Sequence, residues 1–226
     1  MKVINLSDTY SVLGRFLADL RDVNIQKDPL RFRRNLERIG EIEAYEISKT
    51  LSYQTVKVQT PLGKAPTHLS PDKIVLGTIF RAGLPLHQGF LNVFDRAENA
   101  FVSAYRYYKD EECKDVGIKI EYIASPVLND KVLIIADPML ATGGSMELAC
   151  EAFHSKGQAR HTHLACVIAA RPGVEYLEKL FKGRDDVTLW CGAIDKQLNE
   201  HSYIVPGLGD AGDLAYGEKT AISYQW

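Results

Sequence analysis

Several things are missing from this 226-residue chain. It has four cysteines, Cys113, Cys150, Cys166 and Cys191, and no two of them form a Cys-x-x-Cys pair. That excludes a zinc ribbon or a thioredoxin-like redox motif and fits a reducing compartment. Cys150 and Cys166 lie in apolar stretches and read as buried thiols. There is no excess of basic charge: 27 Lys and Arg face 29 Asp and Glu, a net charge of -2. With a pI near 6.3, nothing supports a nucleic-acid-binding face. The N-terminus, Met-Lys-Val-Ile-Asn-Leu-Ser-Asp, carries no uninterrupted apolar run of signal-peptide length, and no segment approaches a membrane span. We therefore expect a cytoplasmic protein. Internal repeats and low-complexity linkers are also absent, so residues 1–226 are expected to form one domain.

What is present is ordinary globular material, 46% hydrophobic and 25% charged. Leu13, Phe16, Leu17 and Leu20 recur at helical spacing. Asp28-Pro29 is a cap followed by proline at a first helical position, and Phe32, Leu36 and Ile39 line the stripe beyond it. Val56 and Val58 alternate within Tyr53–Thr60, which reads as an exposed strand or arm ended by Pro61-Leu62-Gly63.

From Ile74 the pattern is α/β. Ile74–Phe80 is a short apolar run broken by Arg81-Ala82-Gly83-Leu84. Gly117–Ala124 alternates weakly, with Ile118, Ile120 and Tyr122 on one face. Val132–Ala136 is apolar throughout, as a strand buried on both faces should be. Gly144–Phe153 reads as a helix, His163–Ala170 as a strand. Val174, Leu177, Leu180 and Phe181 suit a further helix, and Val187–Ile194 a last strand. Alternation of this kind predicts a parallel sheet covered on both sides. The glycine-rich tail from Tyr203 reads as an ordered loop.

Two stretches carry chemistry. The first is a buried strand, a turn and a helix start, ending in Asp137-Pro-Met-Leu-Ala-Thr-Gly-Gly-Ser145. Successive amides at Gly143 and Gly144, the helix N-terminus, and the hydroxyls of Thr142 and Ser145 suit one phosphate. Asp137 sits at a strand end, where ligands bind in open α/β sheets, and can accept from ribose hydroxyls. No Walker A lysine is present. The second stretch is Tyr203-Ile-Val-Pro-Gly-Leu-Gly-Asp-Ala-Gly-Asp213. Gly207, Gly209 and Gly212 spell a Gly-x-Gly-x-x-Gly string. A dinucleotide reading needs a strand before it and a helix and an acidic residue after it, and only a short tail follows.

Together these stretches resemble the phosphoribosyl pyrophosphate (PRPP) signature and the base-binding loop of uracil phosphoribosyltransferases. The single acid Asp137 followed by Pro138 is similar to the uracil-specific branch of the type I phosphoribosyltransferases. The resemblance spans roughly Arg31 to Lys219. It implies a parallel-sheet type I phosphoribosyltransferase core flanked by helices, with a small hood and arm from the N- and C-terminal segments. It implies uracil and PRPP as substrates, UMP and pyrophosphate as products, and pyrimidine salvage as the role. Asp137, Pro138, Met139, Leu140 and the Ala141–Ser145 loop would hold PRPP. Asp210 would lie near its ribose, and Arg81 and Arg106 would contact its pyrophosphate. Ile204, Gly209, Asp210 and Ala211 would face uracil, with Asp137, Arg106 and Asp210 carrying catalysis. Mg²⁺ would arrive with PRPP; the chain is expected to carry no metal site of its own. GTP as an allosteric activator and a homo-oligomer, dimer or tetramer, are further family expectations.

The six histidines are scattered. His201 near the second loop reads as structural, and a metal site at His161 and His163 has weak support. Arg106 lies in a polar stretch that reads as a mobile loop. Three residues, Tyr107, Tyr108 and Lys109, separate it from Asp110-Glu111-Glu112, where the family has the acidic pair directly. Arg171-Pro172-Gly173 replaces Pro-Glu-Gly, and Asp213-Leu-Ala-Tyr-Gly-Glu-Lys219 also departs from the usual tail. The alternatives weighed are an RNA-binding nucleotide sensor on the same fold and a transferase using a purine base.

Overall fold

Strand, turn and helix follow each other along this chain because apolar runs of strand length alternate with stripes of helical period. The computed structural model describes residues 1–108 and 116–218, with residues 104–108 and 116–120 described by their backbone alone. Lys109, the acidic run Asp110-Glu111-Glu112, Cys113 and Lys219 lie outside the described residues. The order is β1 (Lys2–Asn5), a 3-10 turn (Leu6–Asp8), α1 (Leu13–Arg21), α2 (Pro29–Ser48), β2 (Gln54–Thr60), β3 (Gly63–Leu69), β4 (Ile74–Phe80) and α3 (Leu84–Val93). Then come β5 (Glu98–Tyr108), β6 (Val116–Ala124), β7 (Val132–Ala136), β8 (Met139–Leu140), α4 (Gly144–His154), β9 (His161–Ala170) and α5 (Arg171–Leu180). The chain continues through β10 (Val187–Asp195), β11 (Gln197–Leu198), β12 (Ile204–Val205) and α6 (Ala211–Tyr216).

The main sheet has the order β1-β10-β9-β7-β4-β5-β6, with β8 beside β9. Its pairings are parallel except β5 with β6. Every residue of β7 is buried. Val132, Ile134 and Ala136 belong to a core beneath α1, α2, α3 and α6, and Leu133 and Ile135 to a second core beneath α4 and α5. Alternation on a doubly covered strand produces this division. Asp28 starts α2 as read from the sequence: its carboxylate accepts from the amides of Leu30 and Arg31 at 3.0 and 3.2 Å. Phe32, Leu36 and Ile39 are fully buried below it.

Several expectations change. β2 has an antiparallel partner, β3, running from Leu69 opposite Gln54 to Gly63 opposite Thr60. The hairpin is exposed along most of both strands, so burial leaves no two-residue pattern in β3 to read. Arg106 does not sit in a loop: its backbone belongs to β5 and pairs with Ile118 of β6, while its side chain is outside the description, as are those of Ile118 and Ile120. Leu180, placed on the buried stripe of α5 by its spacing, is 42% exposed, and Phe181 packs inward in its place. The last glycine-rich segment is not loop throughout, since it winds into the short helix α6.

Cys150, Cys166 and Cys191 are buried free thiols. Burial pushes the Cys150 thiol up to about 12, which removes it from thiolate chemistry. No helix among the described residues is long and apolar enough to cross a membrane.

Candidate active site

The sheet order reverses between β4 and β7. From β4 the chain moves through α3 to β5 on one side, and from β7 through α4 to β9 and β10 on the other. A crevice opens at the carboxyl ends of two such strands, because the connections after them diverge. Arg81 directly follows β4, and Asp137 directly follows β7.

The chain does not leave the sheet at Asp137. The Asp137 amide donates to the Ala165 carbonyl at 3.1 Å, and the Pro138 carbonyl accepts from the amides of Val167 and Ile168 at 3.1 and 3.0 Å. Met139 and Leu140 continue beside Ile168 and Ala169 as β8. The turn therefore starts at Ala141, anchored by four residues of backbone pairing. Gly143 caps α4 with φ of 94°, a left-handed conformation that favours glycine. It brings no side chain to cap α4, so the amides of the first helical turn have no capping side chain from it and suit an anion. Thr142 is exposed and Ser145 half-buried at its rim. Below, α5 presses against the loop: an ideal Cβ on Gly173 would lie 2.2 Å from the Ala141 carbonyl oxygen. A Cβ on Gly143 would lie 2.7 Å from the Tyr176 ring, and the Tyr176 hydroxyl donates to Glu147 at 2.5 Å.

The second loop is held from the other side of the crevice. Ile204 is buried in β12, opposite Leu198 of β11. The chain turns at Gly207 and Gly209, with φ of 58° and 93°, and Asp210 then caps α6 by accepting from the Asp213 amide at 2.9 Å. Ala211 is buried behind it. Arg21, the last residue of α1, reaches Asp195 at the end of β10 with two hydrogen bonds of 2.7 and 2.8 Å. Both partners also grip Gly207: Arg21 donates to its carbonyl, and its amide donates to Asp195, each at 2.9 Å. Gln26 donates to the Leu208 carbonyl at 3.1 Å, and Arg33 to that of Ala215 at 2.6 Å. The N-terminal helices thus form a hood over this loop.

Arg81 stands between the two loops. Its Nη2 lies 2.7 Å from Asp213 Oδ1, and Nη1 donates to the Gly217 carbonyl at 3.2 Å. Its Nε is buried and has no partner among the described residues. An ideal Cβ on Gly212 would lie 3.2 Å from Asp210 Oδ1 and 3.5 Å from Arg81 Nη2, so Arg81 and Asp210 border one spot. Gly83 lets the segment after Arg81 fold back onto the strand ends: a Cβ there would lie 2.2 Å from Thr78 Oγ1.

Arg81, Asp137, the Ala141–Ser145 loop and Ile204 to Ala211 all lie at this end of the sheet. Sequence reasoning missed Arg21, Gln26, Asp195 and Asp213. The two arginine contacts join residues 174 and 132 positions apart, a separation no local pattern encodes. The His161 and His163 rings lie 4.4 Å apart, tilted by 39°, and His163 Nδ1 accepts from Trp190 Nε1 at 3.1 Å. No cluster of three potential metal ligands occurs among the described residues. His201 is exposed and lies 3.4 Å from Glu200.

Comparison with known proteins follows the same lines. A family profile described as uracil phosphoribosyltransferase matches residues 9–218. A uracil phosphoribosyltransferase of Porphyromonas gingivalis is 59% identical over 219 residues, 97% of this chain and 100% of the relative. One from Methanothermobacter thermautotrophicus is 43% identical over 192 residues, covering 84% of this chain and 85% of the relative. A solved structure of a protein from Aquifex aeolicus matches with a TM-score of 0.83 at 29% identity, over 98% of this chain and 100% of that one.

Proposed function

The chain belongs to the uracil phosphoribosyltransferase family, and from that premise we propose how its crevice joins uracil to the ribose of PRPP, forming UMP and releasing pyrophosphate. N1 of uracil forms the new bond to the anomeric carbon as the bond from that carbon to pyrophosphate breaks, and the N1 proton is lost. The single observation that carries the reading is the position of Arg81. It joins the strand end beside the phosphate loop to the helix that leaves the second loop.

The loop Ala141–Ser145 holds the 5′-phosphate on amides at the start of α4, and Asp137, with Pro138, Met139 and Leu140 behind it, meets the ribose. Arg81 and Arg106 take the pyrophosphate, where guanidinium groups bind in bidentate fashion. Charge grows on the leaving group as the sugar gains oxocarbenium character, so fixed cations aimed there lower the barrier most. Asp210 borders both the ribose and the base.

The backbone of Ile204, Gly209, Asp210 and Ala211 reads the pyrimidine edge. Amides only donate and carbonyls only accept. A loop pinned by Arg21 and Asp195 cannot reverse that pattern to suit cytosine, and a buried polar group left unpaired is costly.

Mg²⁺ fits this crevice as a companion of PRPP. No three His, Cys, Asp or Glu side chains group to hold a metal among the described residues, so a Mg²⁺ brought in by PRPP would be held mainly by substrate oxygens and water, with Asp137 or Asp210 as the carboxylate that would face it. When bound, it supplies charge neutralisation on the pyrophosphate. GTP activation, assembly into a homo-oligomer, a one-domain chain and a cytoplasmic setting complete the reading.

The test is UMP formation from uracil, PRPP and Mg²⁺, with and without GTP. Turnover with uracil that neither cytosine nor hypoxanthine supports is the expected result. Equal turnover with either of those bases overturns the assignment of the base loop, and faster UMP formation with GTP supports the activation.

A further inference from the structure

Asp213 has no part in the roles above, yet it holds the arginine on which they turn. We propose that Asp213 is a positioning residue that competes with pyrophosphate for Arg81, and so sets how tightly the leaving group is held. The inference rests on the reading of Arg81 as a pyrophosphate ligand.

Arg81 Nη2 lies 2.7 Å from Asp213 Oδ1, and Nη1 is 3.2 Å from the Gly217 carbonyl oxygen. Two of the three guanidinium nitrogens thus face the segment that follows the base loop. The third, Nε, is buried with no partner among the described residues. Because Nε is buried, a diphosphate arriving at the end of β4 meets the Nη groups first, and for bidentate contact it must draw Nη2 away from Asp213.

Exposure decides whether that exchange is easy. The Arg81 and Asp213 side chains are 36% and 31% exposed, the range in which an ion pair contributes little and opens readily. The pair is strong enough to hold the guanidinium in the crevice of the empty protein and weak enough to yield to a group of higher charge. Once Nη2 turns to the diphosphate, the Asp213 carboxylate is left close to it with the same sign of charge. That repulsion weakens the hold on pyrophosphate and favours its departure.

Binding of inorganic pyrophosphate with Mg²⁺, followed by calorimetry, separates the possibilities. Arg81→Gln is expected to weaken it about tenfold or more. Asp213→Asn, which keeps the shape and removes the charge, is expected to tighten it about three- to fivefold. Asp213→Glu should restore the original affinity, and the tightening should shrink when Asp213→Asn is combined with Arg81→Gln, since only the direct repulsion by the carboxylate then remains to be relieved. KM for uracil should stay unchanged in Asp213→Asn, which a merely structural role would not allow. Weakened binding in Arg81→Gln with unchanged or weaker binding in Asp213→Asn overturns the competition and leaves the functional reading standing. Unchanged binding in Arg81→Gln removes Arg81 from the pyrophosphate site, and the inference falls with it. Should the variants not fold, a pyrophosphate complex of the unaltered chain decides. An Arg81 to Asp213 separation beyond 4 Å supports the exchange, and an unbroken pair refutes it.

Discussion

Gly173 sits so close beneath Ala141 that a Cβ on it would fall 2.2 Å from the Ala141 carbonyl oxygen. Helix α5 thus acts as the floor of the Ala141–Ser145 loop, and its distance from that loop is set by one missing side chain. Gly173→Ala must push Ala141 upward or α5 outward, an overpacking that costs about 1–3 kcal/mol. Thermal unfolding should register that loss. KM for PRPP should rise several-fold more than KM for uracil, and an unchanged PRPP KM would show that the loop does not depend on its floor.

Asp137 meets the sheet through its backbone, donating to Ala165. Asp137→Ala keeps that amide, so the fold should survive while PRPP affinity drops about tenfold or more through loss of charged hydrogen bonds. Calorimetry with PRPP checks this, and unimpaired binding would remove Asp137 from the ribose site.

Arg21 is the pin of the second loop. Its side chain is 25% exposed and that of Asp195 9%, so truncation leaves a largely buried carboxylate short of its cation, at a cost of about 3 kcal/mol. Arg21→Ala should raise KM for uracil by about tenfold through the loosened Gly207, and KM for PRPP by much less. Equal rises in both constants would mean that the hood does not act through the base loop.

Two buried groups give stability opposite pH slopes. Burial, and then the neighbouring His161, lowers His163 from 6.5 to about 3. Between those values the unfolded chain binds a proton that the folded chain does not, so stability falls as pH drops, by at most about 1.4 kcal/mol per pH unit for this group. His87, His154 and His161 are lowered too, first by burial, and add to the same limb. Glu43 is fully buried on α2 with both carboxylate oxygens unpartnered among the described residues, and burial raises it well above 4.5. There the folded chain keeps a proton that the unfolded chain loses, so stability falls as pH rises from about 4.5 towards the folded value. Urea midpoints across pH 5–8 should show His163→Asn, whose Oδ1 can replace Nδ1 as acceptor for Trp190, flattening the acid limb. Glu43→Leu should flatten the alkaline limb and raise stability at pH 8 by about 1–3 kcal/mol, since an apolar side chain replaces an unsatisfied polar one. Parallel pH profiles in all three chains would contradict both assignments.

How legible each part is follows from how local its cause is. Asp28-Pro29 announces α2 because a cap acts over three residues, and the five apolar residues of β7 declare their burial outright. The turns at Gly143, Gly207 and Gly209 are visible because positive φ favours one residue type. The partner of β2 leaves no trace, since a hairpin wet on both faces has no hydrophobic side to alternate. Arg106 reads as loop because polarity in an edge hairpin looks like polarity in a connection. Arg21, Asp195 and Asp213 become meaningful only when strands distant in sequence end side by side.

β1 has a consequence for how copies of this chain meet. It lies parallel to β10, from Lys2 opposite Thr188 to Asn5 opposite Cys191, and Ser7 then fastens the segment by donating to the Gly192 carbonyl at 2.5 Å. Without these residues the sheet would end at Val187-Thr-Leu-Trp-Cys-Gly-Ala193, an apolar run of β-prone residues with a bare row of amides and carbonyls. Such an edge is a template for intermolecular pairing. With β1 in place the edge that remains is four residues long and begins at Lys2, and short, charged edges resist such pairing.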